Sequence, residues 1–381
     1  MSKEGAMHDP MLEIDPATAL ERQRAGALLV DVREPDERAT GFPAGSLALP
    51  VGEFAARIGE VEPDRNREIL TLCASGRRSL LVLESLRQLG YAHAHSVRGG
   101  FARWVQEGLP AARGALDPDF TERYSRHLLL PEVGLAGQQR LANARVALVG
   151  AGGLGAPAAL YLAAAGVGTL RLIDDDRVER SNLQRQVVHT DARIGVAKVE
   201  SARVTLAALN PTLRIEAVAQ RVEAANVEEL LRGHDVLVDG ADNFPARYLL
   251  SAASLRLRIP LVYGAVHRFS GQVSVFDPRR ADSPCYRCLF PQPPSAAEAP
   301  NCSEAGVLGV LPGIVGMLQA SETLKLLLGI GEPLVGRLLC HDALAGTFRE
   351  LRLPRDPECP GCGATAAFNG YADLARICAA P

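Results

Sequence analysis

The chain has 381 residues, a formal net charge of -3, a hydrophobic fraction of 47% and a charged fraction of 22%. This length exceeds that of a typical single domain, so two domains are predicted, and the composition argues against a disordered chain. The nearly balanced charge gives no electrostatic basis for binding nucleic acid or an anionic membrane surface.

The N-terminal part predicts a small α/β domain built around one cysteine. The first ten residues, MSKEGAMHDP, lack the apolar core of a signal peptide, which predicts a cytoplasmic protein. The predicted elements are a helix over residues 15–25, strands over 27–30 and 68–72, and a helix over about 79–89. Cys73 lies between a strand and a helix start, where backbone N–H groups lower a thiol pKa. Arg77 and Arg78 add positive charge there.

This part resembles a rhodanese-type sulfurtransferase domain. The motifs are LLVDVREPDE, the C-x-x-G-x-R loop that starts at Cys73, and VRGGFARW. The resemblance implies that Cys73 carries a persulfide surrounded by residues 74–78, supplied by a donor such as a cysteine desulfurase. The short loop is typical of sulfur carriers rather than of the related phosphatases. An inert domain used for docking remains the alternative, and Gly99 and Gly100 are interpreted as turn residues.

Residues 109–115, LPAARGA, predict a linker because they are rich in Pro, Gly and Ala. The predicted organisation is a first domain over residues 1–112, a linker over 113–118 and a second domain over 119–381. A helix over residues 119–127 is expected to lead into the opening strand of the second domain.

Residues 145–174 predict a strand, a glycine turn, a helix and a second strand that ends in Asp174. Glycines at 150, 152 and 155 form a G-x-G-x-x-G turn that lets the backbone approach a phosphate, and the acid would bind a ribose hydroxyl. The uncharged run 146–170 is long enough to cross a bilayer. Its six glycines and one proline instead predict burial in a Rossmann-like core. The motif alone does not identify the nucleotide.

Charged residues beyond Asp174 favour a triphosphate. Asn182, Arg185 and Lys198 follow the acid, and cations at this place would neutralise phosphates and stabilise a departing pyrophosphate. Asp242 follows a strand predicted over residues 235–238, at the end that faces the nucleotide, where a carboxylate can hold Mg²⁺.

Four of the eight cysteines form two C-x-x-C pairs, which predict a structural Zn²⁺ site with a closed tetrahedral shell. The predicted ligands are Cys285, Cys288, Cys359 and Cys362. Such a site would join residues 355–363 to residues 284–290. Cys340 and Cys378 are not part of a motif that indicates catalysis or metal binding, so they are interpreted as structural.

The region from about 123 to 363 resembles the MoeB/ThiF family, bacterial relatives of ubiquitin-activating enzymes. The motifs are RYSRHLLLPEVG, GAGGLG, SNLQRQ, GVAKVE, GADN, PCYRCLF and NCSEAGVLGVLPGIVG. The resemblance implies ATP-dependent adenylation of the C-terminal glycine of a small ubiquitin-like sulfur carrier ending in Gly-Gly. It implies ATP binding by the glycine turn and by Gly153, Asp174, Ser181, Asn182, Leu183, Gln184, Arg185, Lys198, Asp242 and Asn243.

Two further residues take roles only through this resemblance. Arg126 corresponds to an arginine that reaches into the neighbouring subunit's site, which implies a homodimer. Cys302 corresponds to a cysteine that forms a covalent link to the carrier in some members of the family and is dispensable in others.

Together the two domains predict that Cys73 persulfide sulfur displaces AMP from an adenylated carrier, giving a thiocarboxylate. In fused eukaryotic enzymes of this kind the rhodanese domain usually follows the adenylating domain, whereas here it precedes it. Transfer within one subunit or between subunits therefore stays open. The alternatives are a dinucleotide-dependent oxidoreductase, a non-catalytic scaffold and a sulfurtransferase without adenylation. The carrier and its pathway, whether molybdopterin, thiamin, tRNA thiolation or another, are not named by the sequence.

Overall fold

The computed structural model describes residues 12–112, 114, 117–292 and 306–371. The chain folds as two compact units that divide after Ala136. The predicted domain boundaries at residues 112 and 119 lie N-terminal to this division and remain a prediction. Within the described ranges, every helix is too short or too polar to cross a membrane.

The first unit contains a five-stranded parallel sheet with the strand order β1-β6-β5-β2-β4. Its strands are β1 (Glu13–Ile14), β2 (Leu28–Asp31), β4 (Leu47–Ala48), β5 (Ile69–Leu72) and β6 (Ala94–Val97). Its helices are α1 (Pro16–Arg24), α2 (Pro35–Arg38), α3 (Val51–Val61), α4 (Arg77–Gln88), α5 (Gly100–Gln106), α6 (Pro118–Arg123) and α7 (Ser125–Leu128). The central strands β2 and β5 are nearly continuous apolar runs, as expected of parallel strands covered on both faces.

The helix predicted over residues 15–25 is confirmed as α1. Asp15 caps it, because its carboxylate accepts a hydrogen bond from the backbone N–H of Thr18 at 2.9 Å, and Pro16 occupies the first turn, where no N–H is needed. The helix α4 begins two residues before its predicted start, because Gly76 (φ +95°) ends the preceding loop in a left-handed conformation.

Near the predicted linker the structure adds detail that was not predicted from the sequence. Residues Ala111–Ala112 form a strand, β7, that pairs antiparallel with β3 (Phe42–Pro43). A strand of two alanines shows no alternation of apolar and polar residues, so the sequence offers only the Pro, Gly and Ala content of this segment, which predicts a linker. The single helix predicted over residues 119–127 is two helices, broken at Tyr124 (φ -101°, ψ 13°). The Tyr124 ring is buried and packs edge-on against Phe120.

The second unit contains an eight-stranded sheet in the order β10-β9-β8-β11-β12-β13-β14-β15, parallel from β10 to β12 and antiparallel from β12 onward. Its strands are β8 (Arg145–Val149), β9 (Thr169–Ile173), β10 (Arg214–Val218), β11 (Val236–Asp239), β12 (Leu261–His267), β13 (Ser270–Phe276), β14 (Arg337–Asp342) and β15 (Thr347–Arg352). The helix α8 (Gly134–Asn143) begins three residues before the division after Ala136, precedes β8 and was not predicted. The others are α9 (Gly155–Ala165), α10 (Lys198–Leu209), α11 (Val227–Leu231), α12 (Phe244–Leu257), α13 (Tyr286–Leu289) and α14 (Val310–Leu328).

The uncharged run 146–170 is confirmed as strand, turn, helix and strand in the core of this unit. The alanines of α9 are mostly buried and allow α14 to pack closely over it. Gly316 of α14 illustrates the close approach, since a Cβ there would lie 2.3 Å from the Leu154 carbonyl oxygen. This packing holds the glycine turn at the carboxyl ends of β8 and β11.

Candidate functional site

A cavity of about 930 Å³ opens at the carboxyl ends of β8, β9 and β11. The strand β9 lies on one side of β8 in the sheet, and the later strand β11 lies on the opposite side of β8. The cavity therefore lies at the point where the strand order reverses. Open parallel sheets bind ligands at this point. The fold therefore places the predicted nucleotide motif where nucleotides bind.

The glycine turn between β8 and α9 depends on the absence of side chains. Gly150 has φ +95°, and a Cβ there would lie 2.4 Å from the Gly240 carbonyl oxygen. A Cβ on Gly155 would lie 1.8 Å from the Gly150 carbonyl oxygen. Gly152 and Gly153 line the cavity beside the N-terminus of α9. Free backbone N–H groups and the positive end of the helix make this turn suited to a phosphate.

Asp174 is fixed at the end of β9 by two backbone donors. One carboxylate oxygen accepts from the N–H of Ala151 at 2.7 Å and the other from the N–H of Asp176 at 2.8 Å. Burial raises the pKa of Asp174, and the nearby Lys198 opposes that rise. The carboxylate therefore holds the glycine turn in place and keeps lone pairs that can accept a hydrogen bond from a ribose hydroxyl.

Two cations lie along the same cavity. Lys198, the first residue of α10, is almost buried and its Nζ lies 2.7 Å from an oxygen of Asp176, which is 63% exposed. Arg185 donates from Nη1 to the Ser181 carbonyl oxygen at 3.1 Å and lines the cavity. Both charges are available to phosphate oxygens because their protein partners are an exposed carboxylate and a backbone carbonyl.

His189 connects the glycine turn to α10, and sequence reasoning missed it. Its Nε2 lies 3.0 Å from the Ala151 carbonyl oxygen and its Nδ1 lies 2.9 Å from the Ser201 hydroxyl. Burial lowers the pKa of His189 to about 4, so the ring is neutral at pH 7, donating through one nitrogen and accepting through the other. A lone histidine in a polar segment carries no sequence signal for this role.

Asp242 and Asn243 stand at the end of β11. Asn243 caps α12, because its Oδ1 accepts from the Ala246 N–H at 3.0 Å, and its Nδ2 lies 3.3 Å from an oxygen of Asp242. The Asp242 carboxylate is exposed and lines the cavity. It is therefore placed to meet a divalent cation carried with phosphates.

A buried ion pair between Arg247 and Asp239 lies near Asp242 and was not predicted from the sequence. Arg247 donates from Nη2 to the Ala241 carbonyl oxygen at 2.9 Å, and its Nε lies 3.7 Å from Oδ2 of Asp239, which is 1% exposed. Burial raises the pKa of Asp239 to about 6, despite the opposing charge of Arg247. Arg247 lines the cavity at the end of β11, and the buried Asp239 lies next to it.

The structure brings many of the predicted ATP-binding residues together but not all. The cavity lining includes Gly150, Gly152, Gly153, Asp174, Arg185, Lys198, Asp242 and Asn243. Gly155, Ser181, Leu183 and Gln184 lie outside this lining, as does Asn182, whose Oδ1 instead accepts from the Glu179 N–H in a short 3-10 turn. Arg126 lies in α7 of the first unit, and Cys302 falls outside the described residues.

Cys73 follows β5 in the first unit, in a loop of converging donors. Its Sγ accepts from the Gly76 N–H at 3.1 Å and lies 3.5 Å from the Ser79 hydroxyl. Burial raises the pKa of the thiol, but hydrogen bonds from Ser79 and from the N–H groups of Ser75 and Gly76 outweigh it, so the pKa is lowered overall. The loop is built to stabilise an anionic sulfur.

The loop around Cys73 is held from two sides. Gly100 packs directly against it, since a Cβ there would lie 2.2 Å from the Cys73 carbonyl oxygen, and the Phe101 N–H donates to that oxygen at 2.7 Å. Arg78 forms a two-pronged ion pair with Glu37 of α2. Gly100 is thus a packing residue of the loop as well as a turn residue.

The four C-x-x-C cysteines form one cluster in the second unit. The Sγ atoms of Cys285 and Cys359 lie 3.6 Å apart, those of Cys288 and Cys362 lie 3.5 Å apart, and all four lie within 4.8 Å. Four thiolates around Zn²⁺ at about 2.3 Å would be separated by about 3.8 Å. The Asp356 N–H also points at Cys288 Sγ, as expected around a thiolate. The cluster therefore fits a four-coordinate metal.

Comparisons with known proteins agree with this arrangement. Residues 124–361 match the family model described as ThiF family, and residues 15–107 match the model described as Rhodanese-like domain. A solved structure of E. coli MccB with MccA-N7isoASN has a TM-score of 0.56 and 22% identity, covering 65% of this chain and 77% of that chain. That likeness concerns the fold alone.

Three relatives are more similar in sequence. SAMP-activating enzyme E1 of Haloferax volcanii is 53% identical over 65% of this chain and 91% of that protein. Sulfur carrier protein adenylyltransferase of Thermus thermophilus is 48% identical over 72% of this chain and 98% of that protein. Probable adenylyltransferase/sulfurtransferase MoeZ of Mycobacterium tuberculosis is 46% identical over 65% of this chain and 63% of that protein. The chain belongs to the ThiF family and carries a rhodanese-like domain ahead of its ThiF region.

Proposed function

We propose that this protein uses ATP to adenylate the C-terminal glycine of a small ubiquitin-like sulfur carrier that ends in Gly-Gly, and that Cys73 supplies the sulfur for a thiocarboxylate. The observation that carries the adenylation is the meeting of the glycine turn with Asp174, Lys198, Arg185 and Asp242 in one cavity. The relatives named for sulfur carrier adenylation and sulfur transfer support the choice of substrate.

In the first reaction a carboxylate oxygen of the carrier attacks the α-phosphorus of ATP. The bond from that phosphorus to the bridging oxygen breaks, so pyrophosphate leaves and an acyl-adenylate remains. Lys198 and Arg185 stabilise the charge that develops on the phosphates. Asp242 would hold Mg²⁺, which neutralises phosphate charge when bound.

In the second reaction the terminal sulfur of a Cys73 persulfide attacks the acyl carbon. The acyl–oxygen bond breaks and AMP leaves, giving an acyl disulfide between the carrier and Cys73. A second thiol then attacks Cys73 Sγ, so that the carrier leaves as a thiocarboxylate and a disulfide remains on the protein. Cys302 is a candidate for that thiol. A cellular dithiol would then reduce the disulfide, and a cysteine desulfurase is a candidate for reloading the freed Cys73 thiol.

The remaining parts of the proposal concern assembly. A homodimer follows from the proposed role of Arg126 in the neighbouring subunit's site. The free thiol of Cys73 suits the reducing cytoplasm. The pathway served is set by whichever carrier the protein accepts.

The test of adenylation is ATP–pyrophosphate exchange with purified protein and a panel of carriers that end in Gly-Gly. Exchange should require a carrier, should be lost when its last two glycines are removed, and should be lost in Asp242→Ala. If no carrier supports exchange while Cys73 still accepts sulfur from thiosulfate, the adenylation proposal is wrong. Tight NAD binding without use of ATP would point instead to an oxidoreductase.

We also propose that the four-cysteine cluster binds structural Zn²⁺. Purified protein should contain about one zinc per chain by mass spectrometry, because four thiolates leave no open coordination position. Cys359→Ser should lose the metal and lower the melting temperature by at least about 5 °C. Cys340→Ser, at a half-buried cysteine outside the cluster, should retain the zinc. Wild-type protein that is fully folded without any metal would contradict the proposal.

A further inference from the structure

We propose that Gln186 is a phosphate-binding residue of the nucleotide site, with its side-chain amide donating to a phosphate oxygen of ATP. This inference rests on the proposed adenylation and adds a residue that the family resemblance does not assign. Gln186 lines the cavity next to the glycine turn and is only 4% exposed.

The amide lies directly beside the turn. A Cβ placed on Gly152 would lie 3.5 Å from Gln186 Nε2, so the space that Gly152 leaves free is bordered by this amide. The glycine turn is where the backbone approaches a phosphate, while Asp174 marks the ribose end of the cavity. Gln186 therefore stands at the phosphate end.

The segment that carries Gln186 is held in place by its neighbours in sequence. The Gln186 backbone N–H donates to the Asn182 carbonyl oxygen at 3.0 Å, and the His189 N–H donates to the Gln186 carbonyl oxygen at 3.0 Å. The His189 ring in turn bridges Ala151 and Ser201. The Gln186 side chain thus projects from a fixed backbone.

The amide itself is not used by the fold. Gln186 Oε1 is buried and has no hydrogen-bond partner among the described residues. Gln319 also has a buried Oε1 without a partner in the described part of the chain, but its Nε2 donates to the carbonyl oxygens of Asp239 and Val262, so the nitrogen of that amide supports the strands. A buried amide without a partner costs free energy unless a ligand or water satisfies it.

The chemistry of an amide suits this place. Its N–H₂ group can donate to a phosphate oxygen without adding a third positive charge to Arg185 and Lys198. Its oxygen can accept from a water or hydroxyl bound with the nucleotide. A neutral donor next to two cations adds directionality to phosphate binding.

The experiment compares ATP with adenosine, binding of each being measured by isothermal titration calorimetry to wild-type protein, Gln186→Met and Gln186→Glu. Gln186→Met removes the hydrogen bond at similar length and should weaken ATP binding roughly fivefold to tenfold. Gln186→Glu places a negative charge against the phosphates and should weaken ATP binding at least about 30-fold. Adenosine binding should change by less than about twofold in both, because adenosine carries no phosphate.

Gln139→Glu is the matched control, because it makes the same chemical change at an exposed position on α8. It should bind ATP as the wild type does. Equal losses for ATP and adenosine, or no loss in either Gln186 variant, would overturn the inference. If Gln186→Glu does not fold, Gln186→Met decides the matter alone. Wild-type protein that fails to bind ATP would overturn the proposed function, and this inference with it.

Discussion

Replacing Cys73 by alanine is expected to abolish transfer of sulfur from thiosulfate to cyanide, a loss of at least about 10³-fold, while carrier-dependent ATP–pyrophosphate exchange stays within about twofold. The reason is that, in the proposed function, Sγ of Cys73 holds the transferred sulfur, whereas the exchange reaction uses the cavity of the second unit. Thiocyanate formation and pyrophosphate exchange measured on the same preparation test both halves of this expectation.

The pH dependence of the thiol gives an independent measurement on the wild type. Hydrogen bonds from Gly76 and Ser79 outweigh burial and hold the pKa of the Cys73 thiol below its ordinary value. The reactive thiolate should therefore be fully formed at a lower pH than in a free cysteine, and the rate of alkylation should reach its plateau at that lower pH. Iodoacetamide suits this measurement because Cys73 is only 1% exposed and a small reagent is needed.

Cys340→Ala is the matched control, since it makes the same substitution at a half-buried cysteine of β14. It should keep both activities. Sulfur transfer that persists in Cys73→Ala would show that another thiol is the sulfur carrier, and the rhodanese loop would then be a docking element.

Replacing Lys198 by methionine is expected to lower ATP–pyrophosphate exchange at least about 10²-fold. Its ammonium lies against the cavity, and its protein partner, Asp176, is an exposed carboxylate. Removing the cation leaves the exposed Asp176 without its partner and takes a stabilising charge away from the half-buried Asp174, so the folded state should lose no more than about 2 kcal/mol. Exchange kinetics and a thermal melt of the same variant separate these two effects.

Lys325→Met is the control in which stability, rather than the exchange rate, is expected to fall. Lys325 pairs with Glu322 at 2.5 Å, and Glu322 is largely buried on α14, so this variant should lose stability. Its exchange rate should remain close to that of the wild type below its melting temperature, because Lys325 lies outside the cavity lining. Equal exchange rates in the two lysine variants would contradict the role proposed for Lys198.

Much of the architecture could be predicted from local sequence. Val146 to Val149 is an apolar run followed by a glycine turn in which Gly150 and Gly155 leave no room for a Cβ, so a strand and a turn could be predicted there. The spacing of the two C-x-x-C pairs likewise predicted which sulfur atoms meet. Steric and coordination requirements that act over a few residues restrict which residue types can occur at each position, so they can be recognised in the sequence.

The sequence by itself determined the two folds, the thiol loop, the glycine turn and the cysteine set. Only the tertiary structure decided that Asn182 supports a 3-10 turn, that Gln186 faces the cavity, and that His189 joins the turn to α10. These residues lie within one short segment, and which of them faces the cavity depends on how two short turns pack against β8 and α10. That packing is set by contacts between residues far apart in the chain, for which no local pattern exists.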